Sequence, residues 1–306
     1  MGEKAKARLP YFLFILYIIC AHHWSFRRLW YINSESPFYK LEIYADLLAG
    51  GIVCFGGIAL LWNRLLTNKV YWFLMVALLL IEQYHMRKYA LNSSFLYKYL
   101  MIGVYLSLTE TTAKQRNKFL GKVSRRLLSV ALFFAALQKT FSEYYREGNL
   151  IASMAFFQGA LHELLKKFST SFNDALEPYH SAVVHMIQYT SISGASEVDI
   201  PPLLIWLAVL ISIGSIIIEF AVAGLCLTKK TYESTLSFFL SLALVLGIYT
   251  LAEETLFLGL VCLMSYYAHD CKGPKAYFFI ACFLYLLASD FSSFTPFFLK
   301  EYALHW

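Results

Sequence analysis

Nine long apolar runs, none of them alternating, constrain this chain more than any other feature. They cover residues 9–26, 41–63, 70–86, 94–109, 126–142, 202–228, 234–250, 255–268 and 276–289. A hydrocarbon core about 30 Å thick takes about 20 apolar residues as a helix, and only helices or closed barrels satisfy every backbone group inside it. Runs without period-two alternation select helices. The last three runs are short, so the expected fold is all-α: a polytopic integral membrane helical bundle with eight or nine transmembrane helices. Composition points the same way, with 59% hydrophobic and 15% charged residues against about 45–50% and about 25% in soluble domains. That excludes a cytosolic enzyme, a nucleic-acid binder and a disordered regulator. The net charge of +6 suits loops facing anionic headgroups and implies no nucleic acid.

The run from Leu9 to Cys20 leads into His22, His23 and Trp24 without a small-x-small cleavage site, which predicts a retained first helix. Basic residues flanking the runs place the N-terminus in the cytoplasm. The strongest marker is a loop at 110–126 with Lys114, Arg116, Lys118, Lys122, Arg125 and Arg126. The long connection 143–201 has apolar positions at helical spacing and is expected to form a small extracytoplasmic cap of interfacial helices. No repeat or linker divides the chain, so residues 1–306 read as a single domain.

Ionisable residues inside a span are costly and mark function by default. Asp46, Glu82, His85 and Lys139 fall towards the outer ends of their runs, and Glu253 and Glu254 lie between the seventh and eighth runs, all in the expected outer half of the membrane. Lys139 follows Phe133-Phe134-Ala135-Ala136-Leu137-Gln138, and the alanines at i−4 and i−3 leave room beside its stem. An amine kept dry gives up its proton readily and then serves as a base. Counting about 1.5 Å per residue from Arg126 and from Lys229 brings Lys139 and Glu219 to within roughly a turn in depth. The bland alternative for each charge is snorkelling to the headgroups or pairing between helices. There is no GxGxxG, P-loop, HExxH, GxSxG or EF-hand pattern. The six cysteines show no CxxC spacing and read as packing residues. His22 and His23 project about 100° apart on a helix and make a poor chelating pair, so no metal is expected.

The segment Phe133 to Lys139, followed by Glu143-Tyr144-Tyr145 and Gly148, resembles the catalytic-lysine motif of the vitamin K-dependent γ-carboxylases and their bacterial relatives with the horizontally transferred transmembrane (HTTM) domain. Asn92-Ser93-Ser94-Phe95-Leu96-Tyr97 is similar to a second stretch of that family, and Tyr249-Thr250-Leu251 through Ala268 to a later hairpin. The resemblance implies an enzyme of the bacterial cytoplasmic membrane that takes a reduced quinone (vitamin K hydroquinone or menaquinol) from the bilayer. It implies Lys139 as the base that deprotonates the quinol, so that oxygen addition drives proton abstraction from a small-molecule or peptide substrate. Phe134, Ala135, Ala136, Ser93, Tyr97, Thr250 and Glu219 would line the quinone site. Ser93 and Thr250 stand where the family carries histidines, and neither hydroxyl exchanges protons near neutral pH as imidazole does. His85, Glu253 and Glu254 are the candidates to replace them. Only a short tail follows the last run, so a long protein substrate gripped by an appended region is not expected.

Two functions therefore compete: a quinol-linked carboxylase- or epoxidase-like enzyme, and a non-catalytic membrane module that binds or helps mature and export a secreted peptide, alone or with a partner subunit. The second predicts a closed ion pair between Lys139 and Glu219 or Glu254. A transporter is weaker, because inverted repeats are not visible and Gly50-Gly51 and Gly56-Gly57 are explained by close helix packing.

Overall fold

A computed structural model describes residues 3–28, 39–86, 92–148, 202–252 and 255–292. Within them the side chains of 3–4, 23–28, 39–46, 85–86, 92–94, 202–204, 250–252 and 290–292 lie outside the description. Among the described residues there are eleven α-helices and no strand: α1 (Glu3–Arg28), α2 (Tyr39–Leu61), α3 (Lys69–Met86), α4 (Asn92–Ser107), α5 (Ala113–Phe141), α6 (Glu143–Arg146), α7 (Pro202–Leu225), α8 (Lys229–Tyr232), α9 (Thr235–Ala252), α10 (Thr255–Ala268) and α11 (Pro274–Ser292). The all-α expectation holds. Among the described residues, two stretches are long and apolar enough to cross a bilayer, Ala5–His22 in α1 and Ile205–Leu225 in α7; shorter apolar stretches lie in α2, α4, α9, α10 and α11.

The expected loop at 110–126 is helical from Ala113 onwards. Thr112 Oγ1 accepts from the Gln115 backbone N–H at 3.3 Å while Gln115 Oε1 accepts from the Thr112 N–H at 3.2 Å. This reciprocal cap satisfies two otherwise orphaned donors and starts the helix. The Lys, Arg and Gln residues that follow are good helix formers, so the 29-residue α5 runs about 44 Å at its usual rise. Of the connection expected to form an outer cap, only 143–148 is described, where Ser142 caps the single-turn α6.

The chain divides into two compact units. Unit 1 comprises Met1–Ser129, Cys226–Ser234 and Thr255–Trp306; unit 2 comprises Val130–Leu225 and Thr235–Glu254. In unit 1, α10 is the central helix, with every residue from Leu258 to Ala268 buried. It packs against α11 and α1, and α1 against α2. Gly56 of α2 makes that last approach possible, since a Cβ there would lie 3.0 Å from Ile19 of α1. Tyr267 donates to the carbonyl of Pro10 at 2.6 Å, and Tyr11 bonds Ser107 at 3.0 Å.

A polar hub secures the α10–α11 turn within unit 1. Arg125 Nη1 donates to the Ala268 carbonyl at 2.7 Å and lies 3.8 Å from Asp270, which also pairs with Lys229. The Asp270 hydrogen bond lifts the Lys229 ammonium above the ordinary lysine range. Asp270 and Cys271 both adopt positive φ, 53° and 58°, a region costly for residues with a Cβ. Gly121 of α5 lies against this turn: a Cβ would meet Asp270 Oδ1 at 2.5 Å and the Tyr267 carbonyl at 2.8 Å.

Candidate functional site

In unit 2, Lys139 stands in the last turn of α5. Ala136, one turn back, is fully buried, and Ala135 is half-buried. Thr140 Oγ1 donates to the Ala136 carbonyl at 2.8 Å, and Ser142 then breaks the helix by capping α6. The Lys139 ammonium donates to Glu219 Oε1 of α7. The two sides of this ion pair differ in access. The Lys139 side chain is 26% exposed, whereas that of Glu219 is 3% exposed.

Glu219 is the only acidic residue of α7, the most apolar of the long helices, and shares one face with Ser212 and Ser215 at i−7 and i−4. Among the described residues, Glu219 Oε2 and Ser212 Oγ are buried without a hydrogen-bond partner. Tyr145 of α6 also meets the amine, its ring centroid 4.9 Å from Lys139 Nζ, a cation–π distance. Its hydroxyl bonds Ser215 Oγ at 2.5 Å, and Ser215 Oγ–H is given to the Ser212 carbonyl at 2.9 Å. Tyr145 must therefore be the donor in that pair.

Gly148 allows this arrangement. Its φ of 77° suits glycine. A Cβ would also meet the backbone of α7 at Val209 N, 2.7 Å away, and Ala208 C, 2.9 Å away. Phe133 meets Phe220 edge-on at 5.7 Å. Phe134, Phe141 and Tyr144, near Lys139 in sequence, are exposed at 61%, 77% and 53%.

Tyr97 belongs to a polar cluster in unit 1. His22 Nδ1–H donates to the Ile18 carbonyl at 2.8 Å, and the other ring nitrogen, Nε2, meets Tyr97 and Glu82. The Tyr97 hydroxyl lies 3.3 Å from that nitrogen. Glu82 Oε1 is 3.5 Å from it and Glu82 Oε2 is 2.7 Å from Lys98 Nζ. Lys98 also donates to Gln83 Oε1 at 2.5 Å. Lys98 is buried in this cluster. The side chains of Asp46, His85, Ser93 and Thr250, and all of Glu253 and Glu254, lie outside the described residues. Among the described residues no three His, Cys, Asp or Glu side chains are grouped as metal ligands.

Sequence reasoning brings Lys139 and Glu219 to one depth and passes over Tyr145 and Ser215 as site residues. The signals for them were the Glu-Tyr-Tyr segment ahead of Gly148 and the serine spacing on α7. Comparison with protein-family models, curated proteins and solved structures finds no match for this chain.

Proposed function

We propose that the chain is a polytopic bacterial membrane enzyme of the γ-carboxylase-like (HTTM) class, in which Lys139 handles the phenolic proton of a reduced quinone drawn from the bilayer. Nine helices of 14 to 29 residues among the described ones overlap the nine apolar runs. Only 22% of the apolar stretch of α7 is buried, and its Trp206, Leu210, Ile213 and Ile217 are exposed. A core helix of a water-soluble protein would bury such a surface, whereas lipid solvates it.

The observation that carries the enzymatic reading is the asymmetry of the Lys139–Glu219 pair, an amine reachable from outside with a carboxylate sealed behind it. The residues fit a reduced quinone in this respect: the partly exposed Lys139 Nζ would hold the phenolic oxygen, and exposed Phe134 and half-buried Ala135 of the same helix would supply apolar contact. A bound hydroquinone supplies the reducing equivalents for reaction with oxygen. Lys139 holds and moves the proton, and Tyr145 and Glu219 fix the amine. Positioned proton transfer contributes about 10²–10⁴-fold, so Lys139→Ala in proteoliposomes should lose quinol-dependent oxygen uptake by at least about 100-fold while keeping its helical circular dichroism. Undiminished uptake by the purified variant rules the reading out.

The second reading, a non-catalytic module for a secreted peptide or partner subunit, is favoured by the pairing itself, since a closed Lys139–Glu219 bond also serves purely to join α5 to α7. It predicts a stoichiometric peptide or second subunit after mild solubilisation, and no quinol turnover.

A further inference from the structure

We infer that Glu219, and not Lys139, is where the abstracted proton comes to rest: Lys139 passes one of its own protons to Glu219 as it takes one up. This rests on the quinol reading of the same site. An ammonium in contact with a carboxylate has no lone pair to offer, so Nζ becomes a base only by losing a proton first. Among the described residues, two groups touch it. The Tyr145 ring face binds the cation but has no acceptor site for its proton. The Tyr145 hydroxyl is committed to Ser215, whose own proton is committed to the Ser212 carbonyl. That chain of hydrogen bonds ends on a backbone oxygen and carries nothing onward. Glu219 Oε1 already receives an N–H from Nζ.

The exchange balances. A phenolic O–H bond breaks and an N–H bond forms at Nζ. Another N–H bond of Nζ breaks and an O–H bond forms at Oε1. The phenolic oxygen keeps the electron pair, and no electrons change owner. Lys139 is an ammonium before and after, with its partner changed from Glu219 to the new anion. Glu219 ends as a neutral acid, which is the form that a side chain only 3% exposed tolerates best. Its Oε2, buried and without a hydrogen bond among the described residues, lacks the second donor that would hold the carboxylate ionised.

The test uses the full chain in nanodiscs without oxygen, with 2-methyl-1,4-naphthohydroquinone as the probe. Ultraviolet absorbance reports ionisation of the probe, and infrared difference spectroscopy reports carboxyl groups. We expect ionisation together with a new carboxylic-acid C=O band of about one group per chain, shifted when glutamate is carboxyl-labelled with carbon-13 and absent in Glu219→Gln. Lys139→Arg, whose guanidinium does not give up its proton, should show neither signal. Ionisation without an acid band, or with a band that persists in Glu219→Gln, overturns the inference and leaves Lys139 as the base. No ionisation by the wild-type chain overturns the quinol reading and the inference with it. Should Glu219→Gln fail to fold, Glu219→Asp in the labelled background decides by the position of the band.

Discussion

Breaking the Lys139–Glu219 pair from its two sides should give unequal costs. Lys139→Met strands a carboxylate that is 3% exposed and has one oxygen already without a partner among the described residues. An uncompensated buried charge costs about 3–5 kcal/mol. Glu219→Leu leaves an ammonium that is 26% exposed and 4.9 Å from the Tyr145 ring. Its stem can carry the charge outward, which limits the loss to about 1–2 kcal/mol, the lower part of the range for a stranded polar group. Replacing both with apolar residues of similar volume removes the desolvation penalty along with the attraction, so Lys139→Met with Glu219→Leu should lie within about 1 kcal/mol of wild type. The singles then sum to at least about 4 kcal/mol against about 1 for the double, a coupling of about 3 kcal/mol. Unfolding by dodecyl sulfate in mixed micelles, followed by circular dichroism, measures all four corners of the cycle. Equal single costs would refute the asymmetry of access, and an additive double would refute the pairing.

Burial against the Tyr232 and Phe279 rings holds the His269 imidazole down to about 4, with Lys275 adding to the effect. A folded value below the unfolded one means that the unfolded chain takes the proton first as pH falls. The stability due to the neutral ring is therefore complete above about 6.5 and is lost on acidification towards 4, by about 2 kcal/mol at pH 5. The difference between wild type and His269→Phe, measured by thermal unfolding at pH 8 and pH 5, should show that loss; parallel pH profiles would contradict it. Gly121→Ala must displace the Tyr267 carbonyl and the Asp270 carboxylate, an overpacking cost of about 1–3 kcal/mol. Gly51→Ala on α2, where a Cβ meets nothing within 4 Å, should be neutral or stabilising by up to about 1 kcal/mol. The same unfolding assay compares the two, and equal effects would argue against the close approach at Gly121.

What the sequence reveals here depends on whether a property is local. The apolar runs predict helix positions to within a few residues for most of the long helices, because long apolar stretches without period-two alternation select helices. The first half of α5 escapes that reasoning because hydropathy weighs side chains and ignores capping, although the Thr-Ala-Lys-Gln start carries the reciprocal cap in plain view. Lys139 and Glu219 are brought together by depth alone, since the fixed rise turns residue counts into heights. Tyr145 and Ser215 require an azimuth as well: which way α6 turns after Ser142 is set by Gly148, whose positive φ and contact with the α7 backbone are three-dimensional facts. Lys98 is an intermediate case. α3 ends at Met86 and α4 begins at Asn92, so residues 82 and 98 stand four and six positions from the two sides of one connection. Antiparallel neighbours joined this tightly face each other at such positions. Glu82 and Lys98 were therefore predictable partners, and a buried lysine is better placed against a carboxylate than left without one.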